Sequence, residues 1–156
     1  MLLSGPFVAL PRGNRVNDSS ALTTRMRWLL AAVGLAALTL VATARSLTPD
    51  ARGFGTHEQL GFSACGFMSL TGRRCPTCGM TTAWAYGTRG DVRSAVAANG
   101  GGTVLLLLTM VAAPWLIASA LLGRWWGVKP TTGVLLIIGG AWLAVTVLDW
   151  LRRIAS

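Results

Sequence analysis

The sequence predicts an all-α integral membrane protein with three transmembrane helices, and three observations lead to this fold class. Hydrophobic residues make up 53% of the 156 residues and charged residues only 12%, which is too apolar for an ordinary soluble domain. Two long runs contain no charge and a third contains only one, Asp149 close to its end, and arginines stand beside these runs. We therefore expect one membrane domain over residues 28–151. Residues 1–24 are rich in turn-forming residues without an apolar period, and we predict a disordered tail there.

The first uncharged run covers residues 28–44, between Arg27 and Arg45. At about 1.5 Å per residue it is close to the shortest helix that crosses a hydrocarbon core of about 30 Å. Arginine side chains that reach the headgroups from both ends make the helix long enough. A rival hypothesis starts translation at Met26 and reads a signal peptide cleaved after residues 42–44. We favour the uncleaved helix, because the basic region before it is long for a signal peptide.

The second run covers residues 103–122 and the third covers residues 131–151. Pro114 lies inside the second run and predicts a kink, because proline has no amide proton for the helix ladder. The short, basic and aromatic link 123–130 suits a tight turn at the membrane interface. The third run carries a stripe of small residues, which favours packing within the bundle over dimerisation: Gly133, Gly139, Gly140 and Ala141.

The basic residues indicate what the protein binds and how it is oriented in the membrane. The chain has 14 Lys and Arg against five Asp and Glu, and the lipid bilayer is the expected counter-charge. No basic helix interleaved with stacking aromatics is present, so nucleic acid is not an expected partner. Four arginines precede the first helix and only Arg45 and Arg52 follow it closely, which predicts a cytoplasmic N terminus and places the loop 45–99 outside the cytoplasm. A membrane-protein partner and a homo-oligomer both stay open.

The loop between the first two helices, residues 45–99, is much longer than a connection requires. It holds the only histidine and all three cysteines of the chain. Its apolar stretches at residues 60–70 and 80–86 are too short to span a membrane, so we expect re-entrant or interfacial segments. The loop is therefore predicted to fold against the bundle near one membrane face.

A Cys-Pro-Thr-Cys-Gly sequence at residues 75–79 predicts a tight turn, in which Gly79 can adopt positive φ. A short helix is expected directly after the turn, with Thr81 or Thr82 as its N-cap. The free amides at the start of such a helix would favour thiolate over thiol.

Three hypotheses account for the cysteines. The first is a metal site in which three cysteines and one histidine bind tetrahedral zinc: His57, Cys65, Cys75 and Cys78. The second is a redox pair of Cys75 and Cys78, although the βαβ pattern of a thioredoxin-like domain is missing. The third is a structural disulfide from Cys65 to one of the other two. Spacing alone leaves all three open.

The remaining polar residues favour a non-enzymatic role. No catalytic arrangement for hydrolysis or phosphoryl transfer is found in the sequence. We expect Glu58 and Asp91 to be solvated or paired with arginines such as Arg89 and Arg93. Asp149, beside two arginines at a helix end, is predicted to be an ion-paired boundary residue. These features suit a structural or accessory membrane component.

Residues 49–101 resemble the bacterial DUF2752 family, small membrane proteins that carry a Cys-Pro-x-Cys-Gly-x-Thr signature. The signature falls on Cys75, Pro76, Cys78, Gly79 and Thr81. A subset of the family has a Gly-Thr-His sequence and a third cysteine, which match residues 55–57 and Cys65. The chain departs from the family at Thr82, where many members have arginine, and at Gly100, where they have proline. The resemblance implies a helical protein of the bacterial cell membrane and supplies no substrate.

Overall fold

The structure is a computed structural model, and it describes residues 21–155. Within this part of the chain the regular structure is helical, apart from a single antiparallel bridge between Ala21 and Arg124. The predicted fold class is therefore confirmed. The predicted tail, residues 1–24, falls almost wholly outside the described residues and stays a prediction.

Three of the described helices are long enough and apolar enough to cross a membrane. The α-helices are α1 Thr24–Ser46, α2 Gly66–Thr71, α3 Met80–Gly87, α4 Val92–Ala98, α5 Gly100–Leu122 and α6 Thr132–Ala155, and a 3₁₀ helix covers Thr56–Leu60. The long helices α1, α5 and α6 contain 23, 23 and 24 residues. At about 1.5 Å per residue each is about 35 Å long, which exceeds a hydrocarbon core of about 30 Å.

The long helices extend beyond the uncharged runs, because polar residues continue or cap them. The hydroxyl of Thr23 accepts a hydrogen bond from the amide of Met26 and caps α1. Helix α5 begins at Gly100 rather than at residue 103, because Asn99 Oδ1 accepts a hydrogen bond of 2.7 Å from the Gly102 amide. Helix α5 also continues through Pro114 as one element.

Helix α5 is central and packs against both other long helices. Its C-terminal end meets the start of α1, where Arg27 Nε donates to the Ala120 carbonyl at 2.8 Å, so α1 and α5 are antiparallel. Midway along this pair the two backbones approach closely at Gly34, where an added Cβ would lie 2.7 Å from Ile117 Cγ1. At its N-terminal end α5 meets α6, because the Gly100 amide donates to Asp149 Oδ2 at 3.0 Å. The C-terminal end of α1, the N-terminal end of α5 and the C-terminal end of α6 therefore lie together.

Close packing between α5 and α6 depends on glycines in α5. A Cβ at Gly101 would overlap the hydroxyl of Thr146 and would lie 2.9 Å from Thr146 Cα. The prediction that the small residues of α6 pack within the bundle is wrong for its three glycines. A Cβ added at Gly133, Gly139 or Gly140 meets no atom within 4 Å among residues 21–155. The small residues that allow close approach in this pair are on the opposite helix, at the start of α5.

The loop folds against the end where α1, α5 and α6 lie together, and we call residues 47–98 the cysteine module. Helices α3 and α4 pack on each other and on α5. Trp84 Nε1 donates to the Gly102 carbonyl at 2.9 Å, and Arg89 Nη2 donates to the Arg45 carbonyl at 2.8 Å, which fixes the module to α5 and to the end of α1. Helix α2 buries no residue, and its Leu70 is 88% exposed. An exposed leucine on a short helix at this level suits an interfacial segment.

Candidate functional site: a cluster of three thiols

The cysteine motif forms the tight turn that the sequence predicts. The Cys78 amide donates to the Cys75 carbonyl at 3.1 Å, the Met80 amide donates to the Thr77 carbonyl at 3.1 Å, and Gly79 has φ of 87°. Helix α3 starts directly after Gly79, so the prediction that a threonine caps this helix is wrong. Gly79, with its positive φ, is itself the N-cap residue, so Thr81 and Thr82 lie inside the helix. The hydroxyl of Thr82 instead shares a buried hydrogen bond of 2.7 Å with that of Thr56.

Gly79 is the residue of the turn that tolerates replacement least. A Cβ there would lie 2.6 Å from the Gly53 carbonyl oxygen and 2.7 Å from the Ala98 carbonyl oxygen. We expect Gly79→Ala to lower the free energy of unfolding in detergent micelles by about 2–3 kcal/mol, because backbone strain and overlap add. Gly90→Ala is the matched control: φ there is 84°, but no described atom lies within 4 Å, so strain alone should cost about 1 kcal/mol. Equal losses in the two variants would contradict the tight fit around Gly79.

The turn brings its two thiols together, and a third thiol joins them. Cys75 Sγ lies 2.7 Å from Cys78 Sγ and 3.6 Å from Cys65 Sγ. Among residues 21–155 these three sulfurs are the group of donor atoms close enough to share a metal ion, all within 4.8 Å of one another. All three cysteines are free thiols. Cys65 is the N-cap residue of α2, and its sulfur joins the pair through the contact with Cys75.

His57 lines the same cavity as the three thiols, about 370 Å³ in volume, but it lies outside the group of close donor atoms. It belongs to the 3₁₀ helix Thr56–Leu60, which the buried hydrogen bond from Thr56 to Thr82 fixes to α3. The four residues predicted as metal ligands are thus placed around one cavity. Three of them are in mutual contact range, and the histidine is set apart.

Burial and hydrogen bonding shift the pKa values of the two thiols of the turn in opposite directions. Burial, reinforced by the hydrogen bond with Cys75, raises the pKa of Cys78 to about 12. Burial also acts to raise the pKa of Cys75, but hydrogen bonds from Cys78, Thr77 and Cys65 outweigh it, and the pKa lies below its ordinary value. The pKa of Cys75 is thus lowered by hydrogen bonds from neighbouring thiols and from Thr77 rather than by the start of α3, and the pKa of Cys78 is raised, against the expectation of a thiolate.

Two side chains from the ends of α5 and α6 hold the turn by its carbonyl groups. Asn99 Nδ2 donates to the carbonyls of Pro76 and Cys78, each at 3.0 Å. Arg153 donates to the same two carbonyls, from Nη2 to Pro76 at 3.1 Å and from Nη1 to Cys78 at 3.0 Å. Asn99 is fully buried. We call Asn99 and Arg153 the carbonyl clamp.

The clamp is itself fixed by neighbouring groups. Arg153 Nε lies 2.9 Å from Asp149 Oδ2, and the same oxygen accepts the hydrogen bond from the Gly100 amide. Asp149 also pairs with Arg152 at 2.8 Å, so the prediction of an ion-paired residue is confirmed. Trp150 Nε1 donates to the Arg74 carbonyl at 2.7 Å, next to the turn.

Sequence reasoning missed the carbonyl clamp. An asparagine followed by glycines is a signal for a helix N-cap, and it predicts one part of the role of Asn99. No sequence pattern links Asn99 or Arg153 to carbonyls more than twenty residues away. Glu58 pairs with an arginine as expected, Arg52, at 3.0 Å. Asp91 has a role that was not expected, because it caps α4 by accepting a hydrogen bond from the Ser94 amide.

The fold and the thiol cluster define a multi-pass membrane protein with a three-cysteine site at one end of its helices. The family model described as protein of unknown function (DUF2752) matches residues 65–113, which include the cysteine turn, the clamp asparagine and the first half of α5. This match confirms the resemblance seen in the sequence. Comparison with curated proteins found no match, and neither did comparison with solved structures.

Proposed function

We propose that this protein is a non-enzymatic accessory component of the bacterial cell membrane whose cysteine module binds one thiophilic metal ion. The observation that carries the proposal is the mutual approach of three thiols, within 4.8 Å, from two separate segments of the loop. A Cys-x-x-Cys turn, a third cysteine and a histidine form a donor set that suits zinc. The proposed ligands are Cys65, Cys75 and Cys78, with His57 as the fourth.

One of the two measured distances between sulfurs fits a zinc site, and the other requires two cysteine side chains to move apart. Two sulfurs bound tetrahedrally to one zinc ion at about 2.3 Å lie about 3.8 Å apart. The distance of 3.6 Å between Cys65 and Cys75 is close to that value. The distance of 2.7 Å between Cys75 and Cys78 is shorter, so the two side chains must separate by about 1 Å when the ion binds.

The short distance between Cys75 and Cys78 favours a second candidate, a thiol–disulfide pair. Oxidation would join the two sulfurs and remove two electrons and two protons to an external disulfide, which would be reduced to two thiols. The lowered pKa of Cys75 suits the attacking thiol of such an exchange, and the buried Cys78 suits its resolving partner.

Metal analysis combined with thiol counting separates the two candidates. We expect protein purified in detergent under reducing conditions to hold about one zinc ion per chain, and Cys78→Ser to lose it, because structural zinc requires its thiolate ligands. Ser63→Ala, at an exposed position of the module, is the matched control and should keep the ion. Metal-free protein with a reversible two-electron titration of Cys75 and Cys78 would overturn the metal proposal and support the second candidate.

We also propose that the cysteine module faces the cytoplasm, which reverses the orientation expected from the sequence. The fold brings the C-terminal end of α6 to the module, so eight arginines lie at this end: Arg45, Arg52, Arg73, Arg74, Arg89, Arg93, Arg152 and Arg153. Four of the described basic residues belong to the other end, Arg25, Arg27, Arg124 and Lys129, and Arg12 and Arg15 precede α1 in the sequence. An excess of positive residues favours the cytoplasmic side. A membrane-impermeant maleimide should label a cysteine introduced at the exposed Leu70 only after cell lysis, and labelling in intact cells would contradict this orientation.

A further inference from the structure

The residues around the thiol cavity offer soft donors. The lining includes the three cysteines, the imidazole of His57 and the methionine Met80. Among the described residues that line this cavity there is no carboxylate. Thiolate and thioether groups select soft ions such as Cu(I), whereas Mg²⁺, Ca²⁺ and Mn²⁺ prefer oxygen ligands.

The carbonyl clamp holds the thiols and does not hold the histidine. Asn99 and Arg153 together place four hydrogen bonds of 3.0–3.1 Å on the backbone of the Cys75–Gly79 turn. His57 lies on a separate 3₁₀ helix that is bounded by Gly55 and Gly61, both with positive φ. The set of donors in contact range is therefore a group of three sulfurs.

One side of the thiol cavity adjoins a mostly apolar wall. His57, Met80 and Thr81 also line a second cavity of about 360 Å³, whose other walls are mostly apolar side chains, among them Leu40 of α1 and Leu105 of α5. Apolar side chains supply no further ligand to a metal ion on this side. An ion that is satisfied by three thiolates fits such a site better than one that requires a fourth ligand.

We propose that the thiol centre prefers a soft monovalent ion, Cu(I), and that Cys65, Cys75 and Cys78 hold it without His57. This inference rests on the proposed metal centre and names its ion. In the exchange that it describes, Cu(I) replaces zinc on the three thiolates, the bond from zinc to His57 breaks, and Zn²⁺ leaves. No electrons are transferred, because copper enters in its reduced form. Arg153, hydrogen-bonded to the turn, places a positive charge beside the additional negative charge of the copper form.

The test titrates the full chain, purified in detergent and loaded with zinc, with Cu(I) under anaerobic conditions. A coloured zinc chelator reports the zinc released, and a competing Cu(I) chelator reports the copper affinity. We expect one zinc ion released for each Cu(I) bound. His57→Ala should leave the Cu(I) affinity within about threefold of the parent and lower the zinc affinity at least about tenfold, since loss of even an outer partner costs about 10–100-fold. Cys65→Ser should lower the Cu(I) affinity more than about 100-fold.

The outcomes separate this inference from the proposed function. Zinc binding without displacement by Cu(I) would overturn the inference and leave the metal centre in place. A loss of Cu(I) affinity in His57→Ala as large as that in Cys65→Ser would also overturn it, because the histidine would then be a copper ligand. A protein that binds neither ion would overturn both proposals. Thermal unfolding of each variant in its metal-free form identifies one that has lost its fold, and Cys75→Ser then replaces Cys65→Ser as the thiol variant.

Discussion

Replacing Gly101 with valine is expected to separate α6 from α5 and to lower the free energy of unfolding in detergent micelles by about 4 kcal/mol. The added side chain would occupy space held by the hydroxyl and the Cα of Thr146. Backbone atoms of a packed helix cannot move aside as the end of a flexible side chain can, so α6 must shift as a whole. Because Asp149 and Arg153 belong to α6, the shift would also weaken the carbonyl clamp and the binding of metal.

Gly140→Val is the matched control for this prediction. It adds the same side chain to a membrane helix at a position where no atom of the described residues lies within 4 Å of the new Cβ. We expect a change of less than about 1 kcal/mol, within the range of helix propensity. If Gly140→Val destabilises the protein as much as Gly101→Val, the contact between α5 and α6 is not the one described.

Replacing Asn99 with alanine is expected to cost about 3–4 kcal/mol, because a fully buried side chain loses three hydrogen bonds at once. The lost cap of α5 accounts for about 1 kcal/mol, and the two bonds to the turn carbonyls account for most of the rest. The thiol turn would then be held by Arg153 alone. We expect zinc affinity to fall about 10–100-fold in the same variant, as is typical when a partner outside the ligand set is removed.

Two variants distinguish the role of Asn99 as the cap of α5 from its role in the carbonyl clamp. Asn99→Asp keeps an oxygen for the Gly102 amide and removes the amide donors from the Pro76 and Cys78 carbonyls, so it should also lose metal affinity. Asp91→Ala removes the cap of α4, which is exposed, and should cost about 1 kcal/mol and leave metal binding unchanged. Normal metal affinity in Asn99→Asp would contradict the role of the clamp.

The membrane helices are predictable from the sequence because their signal is local. Uncharged runs of seventeen or more residues set the approximate position of α1, α5 and α6. Their ends are less predictable, since capping by Asn99 extends α5 by three residues in the N-terminal direction. The tight turn at residues 75–79 is also local, because Gly79 permits the positive φ that it needs.

The site is built from contacts between residues that are far apart in the sequence, and the spacing of the residues does not predict these contacts. Cys65 approaches Cys75 through the placement of α2, and Arg153 reaches Pro76 across more than seventy residues of chain. The error about the glycines of α6 has the same cause. Periodicity identifies a stripe of small residues, but only the packing of α5 decides that Gly101 is in contact and Gly140 is not.

The site therefore depends on the membrane bundle, although no thiol lies inside a long helix. The cysteines come from the loop, while the groups that hold their turn come from the start of α5 and the end of α6. A metal ion in this position would join the loop to the bundle, and the bundle would fix the spacing of the sulfurs. This dependence is why changes at Gly101 and Asn99 are expected to affect both stability and metal binding.

X-ray absorption at the zinc K-edge of the purified full chain tests the central claim, a metal centre built on three thiols, most directly. We expect three sulfur neighbours at about 2.3 Å and one nitrogen neighbour at about 2.0 Å. In His57→Ala the three sulfurs should stay and the nitrogen should be lost. A zinc shell of oxygen and nitrogen alone, or protein without zinc in which Cys75 and Cys78 form a disulfide, would contradict this metal centre.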